Sequence, residues 1–201
     1  MSSQSEAVPQ ERKPGRWLTR LMRWLHIYIS MLGFLALLFF AVTGITLNHP
    51  DWFCAEEQAR EMQGTIDFGA KVDKDVIVKT LRDRHAVGGA VKEFTADEYQ
   101  CIVAFKGPGY SADAFIDRGT GNYSLTESRL GSVAILNDLH KGRDSGIAWS
   151  WIVDVSAVVM TISSITGLVL LLSVKRRRRV GLVAAALGSA ITIMIYILYV
   201  P

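Results

Sequence analysis

Apolar and polar positions are segregated into blocks along this chain. From Trp24 to Leu47 twenty-four residues pass without Asp, Glu, Lys or Arg, and from Val180 to Val200 another twenty-one do so. Between them, Ile147 to Val174 gives twenty-eight residues with one charge, Asp154. A helix rising ~1.5 Å per residue crosses a hydrocarbon core of ~30 Å in about twenty residues, so each block predicts a membrane span. A cleaved leader is the competing reading of the first block. Its apolar core is longer than the ~7–15 residues of a leader, and no small-x-small site follows "TGITLNHPDW", so a retained anchor is expected.

The remaining half, residues 48–146, has a different rhythm. Asp73 is placed to cap a helix through "KDVIVKTLRDRH", where Val76, Ile77, Thr80 and Leu81 fall on one face and "VGG" ends it. Runs from Tyr99 to Phe105, Ser111 to Asp117 and Asn122 to Leu125 are separated by "GPG" and "RGTG" and read as an antiparallel meander. The stretch "DWFCAEEQAREMQGTIDFGAKV" has no clean period and is expected to be a connector with a short helix.

Charge orients the spans. Arg12, Lys13, Arg16, Arg20 and Arg23 precede the first, and "KRRRR" (Lys175 to Arg179) fills the turn between the second and third. Basic flanks stay on the cytoplasmic side. The expected order is a cytoplasmic segment 1–23, span 24–47, an exported segment 48–146, span 147–174, a cytoplasmic basic turn 175–179 and span 180–200. The C-terminus is then on the exported side. Five basic residues wedged between spans cannot reach a duplex groove, so nucleic acid is excluded as a partner; the lipid bilayer is the first partner implied.

Cys54 and Cys101 both fall in the exported segment, which permits a disulfide; two buried, unpaired thiols are the alternative. There is no CxxC redox pair. Asn122-Tyr123-Ser124 matches a glycosylation sequon and is read as chance.

The four histidines carry the candidate chemistry. His26 lies at the cytoplasmic end of the first span, His49 just past its outer end, and His140 just before the outer end of the second. Imidazoles from two helices near one membrane edge can supply both axial nitrogens of a b-type haem, and the macrocycle fills the apolar gap between the helices. Gly33, Gly44, Ser156, Ala157, Ser163, Ser164 and Gly167 leave room for close approach or a flat ligand. For any one histidine the plainer reading is an interfacial ring like Trp52, Trp149 and Trp151. His85 stands alone, and no HxH, HxxxH or HExxH spacing marks a zinc or copper site. Asp138, Arg143 and Asp144 are placed to orient His140 or to meet haem propionates, with Arg143 suited to the propionates. Thr43-Gly44 and Thr166-Gly167 hint that the first two spans are related units. Asp154, seven residues into its span, either stays near the headgroups with Arg143, Lys141 or Ser150, or serves proton uptake.

The stretches "RWLHIYISMLGFLALLFFAVTGITLNHP", "FKGPGYSADAFIDRGTGNYSLTE" and "LNDLHKGRDSGIAWSWIVDVSAVVMTISSITGLVLLL" resemble the PepSY-associated transmembrane helix family. In that family a Leu-His span closing on Thr-Gly leads into an exported PepSY-like segment, then into a second Leu-His and Thr-Gly. The resemblance implies an integral membrane α-helical protein with three transmembrane helices and a small periplasmic α+β PepSY-like unit between the first and second. It implies a bacterial inner membrane, and, from haem-b reductases among larger relatives, His26, His49 and His140 as candidate haem ligands. The chain has fewer spans than those reductases.

The function expected is haem-b electron transfer to a periplasmic acceptor such as a ferric chelate. His49 and His140 would hold one haem, and His26 a second with His26 of another copy. No GxGxxG fingerprint is present, so electrons would come from quinol or a redox partner protein. The other class left open is a non-enzymatic anchor whose PepSY-like unit binds or restrains a periplasmic partner.

Overall fold

The computed structural model describes residues 14–53, 57–67 and 73–201. Helix α1 runs Pro14–Asn48 and is followed by a 3-10 turn, Pro50–Phe53. The soluble segment then gives β1 (Gln58–Thr65), α2 (Lys74–His85), β2 (Ala90–Ala96), β3 (Gln100–Gly107), β4 (Tyr110–Asp117), β5 (Asn122–Arg129) and α3 (Ser132–Lys141). Helices α4 (Ile147–Ser173) and α5 (Arg178–Tyr199) complete the chain. Among the described residues three helices are long and apolar enough to cross a membrane, and with the sheet between the first two they make this a multi-pass membrane protein carrying an α+β segment. The chain divides into two compact units, Met1–Leu37 with Ser156–Pro201, and Leu38–Val155.

The five strands form one antiparallel sheet in the order β1-β5-β4-β3-β2. Period-two alternation gives it a core face. Cys101, Val103 and Phe105 of β3 lie opposite Ile116, Ala114 and Ala112 of β4, and Ile116 and Ala114 lie opposite Tyr123 and Leu125 of β5. All of these are buried, together with Ile77 and Leu81 of α2, so α2 closes this face. Its first turn is capped as the sequence indicates: the Asp75 N–H donates to Asp73 Oδ1 at 2.9 Å.

Two elements depart from expectation. The stretch after Pro50 begins with a short 3-10 helix, Pro50–Phe53, but where a connector was expected it also forms β1, an edge strand. Only Met62 of the strand is buried, so no alternation of apolar residues announces it. A helix that the sequence analysis did not anticipate precedes the second span. Ser132–Lys141 form α3, which ends at Gly142 in the left-handed conformation (φ 66°) that glycine adopts freely. Cys101 is a buried thiol in the sheet core, raised above the usual thiol range by burial; Cys54 lies outside the described residues.

The sheet positions α3. The Pro108-Gly109 turn between β3 and β4 packs against it: the Gly109 N–H donates to Asp138 Oδ2 at 2.9 Å, and the Leu130 N–H donates to the Gly109 carbonyl at 2.8 Å. Gly109 has φ 63°, and a Cβ there would meet Ile135 Cγ1 at 2.5 Å. Lys92 on β2 pairs with Asp144 just beyond α3 at 2.9 Å.

One buried polar group sits in the sheet. Glu127 Oε1 accepts from Arg129 Nε at 3.1 Å and from a terminal guanidinium nitrogen at 2.7 Å. Burial raises this carboxyl, but hydrogen bonds from Arg129 and Tyr110 outweigh it, and the net direction is down. Its contribution to stability is therefore present at neutral pH and lost as pH falls through the folded-state value.

Leu81 is fully buried while Tyr99 is 80% exposed. Leu81→Ala should cost ~2–5 kcal/mol of local stability, and Tyr99→Ala less than ~0.5 kcal/mol, read from hydrogen-exchange protection of the β3 and β4 amides.

Candidate histidine and threonine clamps

Unit Met1–Leu37 with Ser156–Pro201 holds the first site. Here α1 and α4 run antiparallel and meet through small or polar side chains: His26 with Thr166 and Gly167, Ser30 with Ser163, Gly33 with Val159. The spacing 26, 30, 33 keeps all three on one face of α1. His26 Nδ1 lies 3.1 Å from the Ser163 carbonyl oxygen and 3.1 Å from Thr166 Oγ1. Ser30 and Ser163 hydroxyls bond each other at 2.6 Å. The Thr166 hydroxyl is buried, and it lies 2.9 Å from two carbonyls of its own helix, those of Ile162 and Ser163.

The helices are close here. A Cβ on Gly33 would stand 2.7 Å from Val159 Cγ1, and one on Gly167 would stand 3.1 Å from His26 Cε1. A cavity of 220 Å³, lined by Ser30, Gly33, Phe34, Val159 and Ser163 among others, lies beside these contacts. That is below the ~300–1,000 Å³ of ordinary small-molecule sites.

Unit Leu38–Val155 holds the second site, built the same way from other elements. His140 is in the last turn of α3, and its Nδ1 lies 2.6 Å from Thr43 Oγ1 on α1. The Thr43 hydroxyl donates to the Phe39 carbonyl at 2.6 Å, one turn back on its own helix, and the residue is buried. Phe40 meets the imidazole edge to face, centroids 5.1 Å apart. Thr46 reaches the Asn137 side chain at 2.6 Å, and Trp149 Nε1 donates to the Leu139 carbonyl at 2.8 Å. Three contacts, at residues 137, 139 and 140, thus fix the end of α3.

The two sites are reciprocal in sequence. Leu25-His26 is held by Thr166-Gly167, and Leu139-His140 by Thr43-Gly44. A scan against family models supplies the context: the PepSY_TM-like model matches residues 20–201, every clamp residue on α1, α3 and α4 included. The chain belongs to the PepSY_TM-like family. Neither the comparison with curated proteins nor that with solved structures returned a match.

The other sequence-selected residues of this PepSY_TM-like chain are placed differently. His49 and His140 share no neighbour in the bonds and ring contacts they make. His49 stacks on Trp52 with centroids 3.8 Å apart, and its Nε2 lies 3.3 Å from Asn48 Nδ2. His85 Nε2 lies 2.6 Å from the Tyr123 hydroxyl, on the sheet. Asp138 and Asp144 do not orient His140, because they serve Gly109 and Lys92; Thr43 takes that role. Arg143 is exposed between α3 and α4, without an ion pair among the described residues. Asp154 is exposed on α4 and meets none of Arg143, Lys141 or Ser150; the Ser150 hydroxyl turns back to the Gly146 carbonyl at 3.3 Å. The Thr-Gly dyads were visible in the sequence. Their pairing was not, since the partners are 97 and 140 residues away.

The glycines of the two dyads differ in how closely the ring approaches. A Cβ on Gly44 would lie at an ordinary 3.8 Å from His140 Cε1. Gly44→Ala should therefore be neutral or gain up to ~1 kcal/mol from helix propensity, while Gly167→Ala should lose that gain and more as its imidazole is displaced. Thermal unfolding of the purified protein in one detergent should rank Gly44→Ala above wild type or level with it, and Gly167→Ala below.

Proposed function

We propose that this chain carries electrons through b-type haem in the bacterial inner membrane, toward an acceptor on the side of the α+β segment such as a ferric chelate. The observation that supports it is the pair of clamps: each spends one ring nitrogen, Nδ1, on a neighbouring helix. Imidazoles anchored in this way are suited to hold iron through the other nitrogen. When bound, haem supplies one-electron cycling of its iron. His26 and His140 would each hold one haem iron.

His26 and His140 fit as imidazole donors, one at each site. A further donor would come from another copy of the chain. His49, stacked on Trp52, is left out of the ligand set. Arg143 has an uncommitted guanidinium, suited to a propionate by charge and fork geometry. Electrons enter from quinol or a redox partner protein. The basic turn Lys175 to Arg179 and the N-terminal basic flank support an amino end in the cytoplasm and an α+β segment in the periplasm.

A second reading follows from the sheet. β1 and β2 are edge strands, and Tyr99 and Phe115 are exposed near one end of the open face. That surface would suit an anchor that binds a periplasmic partner by strand addition or side-chain contact, the clamps then serving as helix locks.

The reduced-minus-oxidised spectrum of protein expressed with ample haem separates the two. A Soret band is expected, lost in part by His26→Ala and in part by His140→Ala, and kept in His49→Ala. No Soret band in well-folded wild-type protein would discard the haem reading and favour the anchor.

A further inference from the structure

We infer that Thr43, and Thr166 together with the Ser163 carbonyl, are positioning groups that hold His140 and His26 as Nδ1–H tautomers and leave Nε2 of each ring as the ligand-accepting atom. The inference rests on the haem reading only for the identity of the ligand; the tautomer follows from proton counting at each clamp.

At His26 the carbonyl decides. A carbonyl oxygen accepts and never donates, so an Nδ1 at 3.1 Å from the Ser163 oxygen must carry the hydrogen. The Thr166 hydroxyl is turned toward the Ile162 and Ser163 carbonyls, so its oxygen can receive from Nδ1 as well. At His140 the hydroxyl decides. Thr43 has one proton, and the Phe39 carbonyl at 2.6 Å takes it, so the 2.6 Å contact to Nδ1 is satisfied only when Nδ1 donates. The opposite tautomer would set a nitrogen lone pair against an oxygen with no proton between them.

Each neutral ring is then left with an unprotonated Nε2. No hydrogen bond to the Nε2 of His26 or His140 forms among the described residues, and neither atom is among the buried polar atoms lacking a partner. A lone pair open at the edge of an apolar span is fit for a soft-field metal centre or a strong donor, and an imidazole whose other nitrogen is already committed keeps its orientation as it binds. Two separate stretches of chain arrive at the same solution, one through α3 and α1, the other through α1 and α4.

The test is a long-range nitrogen–proton spectrum of full-length protein labelled at histidine nitrogen, expressed without added haem and held in micelles near pH 8. His26 and His140, assigned from the His26→Ala and His140→Ala proteins, should show a protonated Nδ1 and a pyridine-type Nε2, with a tautomer bias of at least about fivefold. Thr43→Val should collapse that bias at His140, and Thr43→Ser should restore it. Thr166→Val should leave the proton of His26 on Nδ1, because the Ser163 carbonyl still accepts it. A wild-type His26 or His140 protonated at Nε2 overturns the inference, and so does a Thr43→Val spectrum unchanged at His140. The wild-type spectrum decides alone should Thr43→Val fail to fold. Failure of the haem reading appears elsewhere, as a missing Soret band with both tautomers as stated.

Discussion

An imidazole placed in or beside an apolar span has no water to satisfy its N–H, and this constraint shapes the transmembrane half of the protein. The expense of an unsatisfied polar group in hydrocarbon is several kcal/mol, so each ring has to find an acceptor on a neighbouring segment. Both do so through Nδ1 and a threonine of a Thr-Gly dyad. The threonine can serve because its own proton already goes back to the helix, at Phe39 or at Ile162 and Ser163. The following glycine, or its lack of a Cβ, lets the ring lie close to the backbone. At Gly167 the clearance is 3.1 Å, and even alanine would press on the ring.

The α+β segment contributes to the second clamp through α3. His140 is presented at the end of a helix that the Pro108-Gly109 turn holds by Asp138 and that Lys92 holds through Asp144. The sheet in turn owes its shape to the buried rows of β3, β4 and β5 under Ile77 and Leu81. A displacement of the Pro108-Gly109 turn would therefore reach His140 through α3, within one compact unit.

The sequence was legible where one residue's environment is decided by its neighbours in the chain. Charge-free runs announced the spans, Asp73 announced the start of α2, and alternation around the "GPG" turn announced β3 and β4. It was opaque where partners are distant. β1 has one buried residue, so its strand nature comes from pairing with β5 and not from a pattern of its own. Helix α3 carried a signal that could have been used, Ile135, Leu136 and Leu139 at helical spacing before Gly142. The histidines were recognised as candidates, but proximity to one membrane edge suggested His49 as the companion of His140. Its companion is a hydroxyl on α1, and His49 is taken up by Trp52.

The central claim is that His26 and Thr166 form one coupled unit across α1 and α4. A double-mutant cycle measures it: unfolding free energies of wild type, His26→Ala, Thr166→Val and the double variant, in a single detergent. Coupling of ~0.5–2 kcal/mol is predicted, as for a polar contact between membrane helices. Strictly additive losses, with coupling indistinguishable from zero, would contradict the account.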